Sequence, residues 1–159
     1  MTMKKIILMF LIVLVLGGCG GEAKEMPETS TNDDEVQTVE MAKNKTIQIQ
    51  IGSQTFQATL EDNPTVEEFL KKLPLEIELE ELNGNEKFYR FNERFPTSDT
   101  KPKMIHTGDL MLYSGSYFVL FYKDFATSYS YTRLGKIENV EGLLEAVGES
   151  NIRVKINSN

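Results

Sequence analysis

Tyr129-Ser130-Tyr131-Thr132-Arg133 holds the densest set of side chains able to grip a ligand in this chain. Read as a strand, its two-residue period puts Tyr129, Tyr131 and Arg133 on one side and Ser130 and Thr132 on the other. Two amphipathic rings beside a guanidinium suit either an arginine lying along aromatic surface or the polar corner of a pocket. Tyr122, at the end of the preceding apolar run, is the fourth candidate ligand-binding residue. The chemistry these residues offer is recognition of a peptide segment or a small molecule: aromatic area with a few polar tips.

Other chemistries are excluded by composition. The chain has one histidine, His106, and one cysteine, Cys19, which rules out ordinary His or Cys metal sites and Cys-His nucleophilic pairs. No serine sits in a nucleophile elbow and no glycine-rich phosphate loop is present, so no cofactor is expected. Glu76, Glu78 and Glu80 alternate with Ile77 and Leu79 and form an acidic row. Same-face residues on a strand stand about 7 Å apart, whereas calcium needs six to eight oxygens within about 2.6 Å. The row reads as a solvated strand edge, and no metal site is expected.

The elements that must position these residues follow from hydrophobic period. Residues 46–51 alternate with isoleucines inward, Gly52-Ser53 turns the chain, and Phe56, Ala58 and Leu60 face the same core from residues 54–60. Asp62-Asn63-Pro64-Thr65 opens a helix, with Thr65 and Glu68 at capping-box spacing and Val66, Phe69, Leu70 and Leu73 on one stripe; Pro74 stops it. The acidic strand follows, then an Asn83-Gly84-Asn85 turn into a strand over 88–91, then a long loop from Asn92 to Lys103. Leu110-Met111-Leu112-Tyr113 and residues 117–122 are joined by Ser114-Gly115-Ser116 as a hairpin. The second of these strands is apolar on both faces, so it must be central. Asn139 caps a short helix with Val140, Leu143, Leu144 and Val147 on its stripe and Gly148 at its end; residues 152–156 form a last strand. About eight short antiparallel strands and two short helices are mainly β and suit a small closed barrel.

Upstream, Lys4 and Lys5 precede eleven apolar residues, 6–16, too few to span a bilayer, which takes roughly 20. Leu16-Gly17-Gly18-Cys19 resembles the bacterial lipobox, which implies a signal peptide over 1–18 and lipidation at Cys19. The expected location is therefore the extracytoplasmic face of the cell membrane, with the lipid anchor as the membrane partner. Residues 19–44 carry the composition of an acidic tether that cannot bury enough surface to order itself. As a flexible coil it would reach roughly 25 to 30 Å. Residues 45–159 then form one domain with 13 basic and 17 acidic residues, a modest negative balance that makes nucleic acid a poor partner.

The order Asp62-Asn63-Pro64-Thr65, Leu73-Pro74, Gly108-Asp109-Leu110, Phe121-Tyr122-Lys123-Asp124-Phe125 and Tyr129-Ser130-Tyr131-Thr132-Arg133-Leu134-Gly135-Lys136-Ile137 resembles the bacterial and archaeal cyclophilin-like fold proteins over residues 45–148. The resemblance implies a cyclophilin-like β-barrel. True cyclophilins resemble one another around a Phe-His-Arg strand and a Gln-Gly-Gly-Asp turn; here His106 stands between Ile105 and Thr107, and Gly108-Asp109 alone echoes the turn. Two functions follow as expectations: a non-catalytic binding module for a peptide or small ligand, and, as the alternative, a prolyl isomerase using Arg133 or Arg90 in place of the cyclophilin arginine. Isomerisation needs only an apolar seat and one donor that weakens an amide resonance worth about 18–20 kcal/mol of barrier.

Overall fold

The computed structural model describes residues 45–159. The expected signal peptide, the lipidation site at Cys19 and the tether lie outside the described residues.

Two hairpin strands, β1 (Thr46–Ile51) and β2 (Gln54–Leu60), lead into α1 (Pro64–Leu70). Strands β3 (Leu75–Leu82) and β4 (Glu86–Arg90) pair through the Asn83-Gly84-Asn85 turn, where Asn83 and Gly84 take the positive φ of a tight reversal. After the 92–103 loop come β5 (Met104–Ile105), β6 (Asp109–Tyr113), β7 (Tyr117–Phe121), β8 (Phe125–Ala126) and β9 (Thr132–Ile137), then α2 (Leu143–Val147) and β10 (Ile152–Ser158). Eight strands close into an antiparallel barrel in the order β1-β10-β3-β4-β7-β6-β9-β2, while β5 and β8 form a separate two-stranded ribbon.

The barrel interior is packed with Ile47, Ile49, Phe56, Ala58, Leu79, Leu110, Leu112, Phe118, Leu120, Leu134 and Ile156. Val66 and Phe69 of α1 and Leu143 and Val147 of α2 add to it, with Phe69 stacked on Phe118 at 5.6 Å. A second, smaller cluster lies on the other side of the β7 wall: Ile105, Met111, Val119, Phe121 and Tyr131, with Phe88, Tyr117 and Phe125 against it. The two-faced apolarity of β7 is thereby satisfied by the barrel on one side and by the ribbon, through Ile105 and Phe125, on the other.

Several sequence expectations shift. The α1 cap is Asn63, whose Oδ1 accepts from the Val66 N–H, and not Thr65, which is buried and donates to the Pro96 carbonyl. Pro64 occupies the first turn, where its missing N–H costs nothing. The acidic β3 is not an edge: it pairs with β10 and β4, and Glu76 and Glu78 face Lys155 and Arg153 across the β10 seam. Asn139 accepts from Glu141 N–H in a turn ahead of α2, whose cap position is Gly142; Val140 and Leu144 remain exposed while Leu143 and Val147 are buried. The strand expected over 129–133 starts only at Thr132, and Tyr131, just before it, forms an isolated bridge to Thr100.

Gly135 marks the closest approach in the barrel. A Cβ there would collide with the Thr59 carbonyl oxygen, because β9 is paired on one side with β2 and on the other with β6, beside a bulge in β9 at Leu134.

Phe121 is fully buried in the outer cluster, against Phe125 and Tyr131. Phe121→Ala is expected to cost about 3–5 kcal/mol, the usual range for emptying a core aromatic site. Urea unfolding of the full chain measures it, and a loss below about 1 kcal/mol would show that the ribbon does not seal this layer.

Candidate functional site

Strand pairing decides which side chains gather outside the barrel. In the arc β4-β7-β6-β9, the registers Phe88↔Val119, Arg90↔Tyr117, Met111↔Val119, Tyr113↔Tyr117 and Met111↔Arg133 place these residues on the outer face. The ribbon covers part of that face. The uncovered part is a cleft of about 350 Å³. Phe88, Tyr117 and Val119 form its floor, Tyr113, Tyr129 and Tyr131 one side, and Leu82, Asn83 and Glu86 from the β3–β4 turn region the other.

The rings meet at angles. Tyr113 lies 6.2 Å from Tyr117, 5.9 Å from Tyr129 and 5.6 Å from Tyr131, and Phe88 lies 6.0 Å from Tyr117, with interplanar angles of 52° to 81°. They line walls and do not stack into a solid block. Tyr131 is held by reciprocal backbone hydrogen bonds with Thr100, both 2.9 Å, so the 92–103 loop fixes one wall of the cleft. Thr132 strengthens the same tie, accepting from Ser98 N–H and donating to Asp99 at 2.6 Å. Tyr129 is 61% exposed and forms the open rim.

Of the residues expected to bind a ligand, Tyr129 and Tyr131 line this cleft. Arg133 does not: it lies beside the buried carboxylate of Asp109, Nη1 to Oδ1 3.5 Å, while the other Asp109 oxygen accepts from His106 N–H. Tyr122 belongs to the interior side of the wall. Arg90, the other arginine considered for electrophilic work, stacks over the Tyr117 ring at 5.7 Å. Phe88, Tyr113, Tyr117 and Glu86 were missed, since they come from three strands whose adjacency depends on barrel closure. The available signal was the aromatic character of Tyr113 and Tyr117 flanking one hairpin turn.

Two carboxylates five residues apart meet opposite environments. Glu81 accepts from Lys87 at 2.5 Å, from the Tyr122 hydroxyl at 2.9 Å and from Gly84 N–H at 2.7 Å. Burial works against its charge, but these donors prevail and hold it below the usual carboxylate range. Burial, then the Glu81 contact, pushes the Tyr122 hydroxyl well above its ordinary value. Lys87, 0% exposed, also donates to the Gly148 and Ser150 carbonyls, tying the β4 interior to the segment after α2. Glu86, on the cleft side, has no ion-pair partner among the described residues. Burial, then repulsion from Glu81, raises its pKa above the ordinary value.

At the ribbon's base Asp124 accepts from Thr107 N–H, His106 and the Thr107 hydroxyl, which hold it at about 2. His106 is thus paired at the surface, in the turn that leads into β6.

The model of the Cyclophilin-like family matches residues 49–157. The chain belongs to the cyclophilin-like family. Its fold is similar to the solution structure of a hypothetical protein from Archaeoglobus fulgidus, at 15% identity and a TM-score of 0.50, over 73% of this chain and 95% of that one. At that identity the likeness is one of fold. No curated protein matches the chain. In this cyclophilin-like barrel the aromatic cleft lies on the outer face of the β4-β7-β6-β9 arc, and the interior is filled by side chains.

Lys87→Met is expected to destabilise the full chain by about 3 kcal/mol, the low end for breaking a buried ion pair, because Glu81 keeps some solvent contact. Equilibrium denaturation reads the loss, and adding Glu81→Gln should recover part of it. Additive losses from the two changes would show that the pair is not coupled.

Proposed function

We propose that this cyclophilin-like protein is a lipid-anchored, extracytoplasmic binding domain that holds a peptide segment or small ligand in its outer aromatic cleft without making or breaking a bond. The observation that carries the reading is the cleft itself: five aromatic rings set at angles around a small concavity, whose ionisable lining consists of Glu86 and four tyrosines. Such a composition, mostly apolar with a few polar tips, is that of a recognition site. The lining offers no nucleophile hydrogen-bonded to a base.

The anchor rests on the basic start, the short apolar core and Leu16-Gly17-Gly18-Cys19. A tether of about 25 to 30 Å then sets the cleft away from the membrane surface. The prolyl isomerase reading needs a donor beside an apolar seat. Arg133 is engaged by Asp109, so Arg90, over the Tyr117 ring, is the arginine that reading would use.

Two experiments test the proposal. Cys19→Ser should release the protein from the membrane fraction or leave it uncleaved, and a variant that stays membrane-bound at the mature mass would overturn the anchor. For the cleft, a thermal-shift screen of peptides and small molecules against the full chain in a non-ionic detergent should give ligands that stabilise the wild type and not Tyr129→Ala, whose exposed ring can be removed without emptying the core. In the same preparation the cis-to-trans rate of a proline tetrapeptide should be unchanged. An acceleration that falls at least about tenfold in Arg90→Ala, some 1.4 kcal/mol of transition-state stabilisation, would replace binding with isomerase activity.

A further inference from the structure

The outer row of β4 carries Glu86, Phe88 and Arg90, alternate residues of one strand face. Arg90 already places a cation on Tyr117, one of the cleft's rings. At the other end of the row Glu86 presents a carboxylate to the cleft with no cation paired to it among the described residues. Lys87, next to it in the chain, points to the opposite side of the wall, where it is committed to Glu81 and two carbonyls. The cleft therefore combines one half-buried, uncompensated negative charge with the faces and edges of five aromatic rings.

We infer that the ligand of this cleft is a small organic monocation bearing an alkylated ammonium group, of the choline or tetramethylammonium type. Aromatic rings attract such a cation through their quadrupoles, most strongly where water is excluded. A carboxylate losing solvent against apolar rings is stabilised by the counter-charge a cation brings. A primary ammonium would need three hydrogen-bond acceptors fixed around it, whereas an alkylated one needs none and fills its shell with ring contacts. The net negative charge of the domain also favours a cationic ligand. A cleft of about 350 Å³ sits at the small end of ligand pockets, which run from about 300 to 1,000 Å³. Arg90 at the far end disfavours a dication. The burial and Glu81 repulsion that raise the Glu86 pKa are relieved by a cation bound beside it.

This inference rests on the binding-domain reading. The test uses the full chain in a non-ionic detergent and follows the tyrosine ring resonances and the heat of binding. The probes are choline, tetramethylammonium, the neutral isostere 3,3-dimethylbutan-1-ol and the short-chain lipid dihexanoylphosphatidylcholine. Choline is expected to shift the resonances of Tyr113, Tyr129 and Tyr131 and to bind at least roughly tenfold more tightly than its neutral isostere, the scale of a desolvated cation–aromatic contact. Glu86→Gln and Tyr129→Ala should each weaken it several-fold without lowering the Tm. Tighter binding of the lipid assigns the cation to a headgroup, and tighter binding of choline assigns it to a free solute; both uphold the inference. Equal binding of choline and the isostere, or choline binding unaffected by Glu86→Gln, overturns it. If the ammonium probes do not bind while a ligand from the thermal-shift screen maps to the same tyrosines, the cation assignment falls and the binding domain stands. If neither binds, both fall.

Discussion

Strand β7 is apolar on both faces, and a strand of that kind can be satisfied only by hydrophobic material on each side. In a barrel of this size the interior supplies one side: Phe118 and Leu120 sit among the side chains that fill it. The other side has to be built. The β5–β8 ribbon does so by lowering Ile105 and Phe125 onto Val119, Phe121 and Met111. Because each ribbon strand has only two residues, it covers the wall incompletely, and the aromatic residues beyond its reach become the walls of a cleft. The candidate site is thus a consequence of how an over-apolar strand is partly covered.

Polar groups are arranged around that wall with a clear division. Inside, Lys87, Glu81 and Tyr122 neutralise one another and satisfy the carbonyls that follow α2, as a buried ammonium requires. Around the ribbon, Asp109 accepts from His106 N–H and lies beside Arg133, while Asp124 accepts from His106 and from the Thr107 N–H and hydroxyl. Against this background of paired charges Glu86 stands out, and it stands out at the cleft.

The barrel is cyclophilin-like, yet the histidine of the 105–107 stretch pairs with Asp124 at the ribbon's base, and Arg133 braces Asp109. Prolyl isomerisation requires a donor aimed at one amide over an apolar seat. His106 and Arg133 make these contacts at the ribbon's base and at the start of β6.

Much of the barrel was legible in the chain because its information is local. Alternation of isoleucines in β1, the glycine-containing turns and the helical stripes depend on neighbours a few residues apart, and eight barrel strands with two helices follow from them. So did the need for a cover on β7. The period of two says which residues share a face; it does not say which face looks inward, and a strand apolar on both sides carries no signal to choose. Tyr122 therefore lay open to either side, and only closure of the barrel turned it toward Glu81. Pairing of Glu81 with Lys87 across β3–β4 made it a paired structural group, and register of Glu86 with Phe121 of β7 put it on the cleft side without an ion-pair partner among the described residues. Tyr113 joins Tyr117 to Tyr129 and Tyr131 because β6 pairs with β7 on one edge and β9 on the other, while the 92–103 loop pins Tyr131 through Thr100. Those contacts join residues far apart in the chain, and long-range register is set by the packing of the whole barrel, which no local pattern encodes.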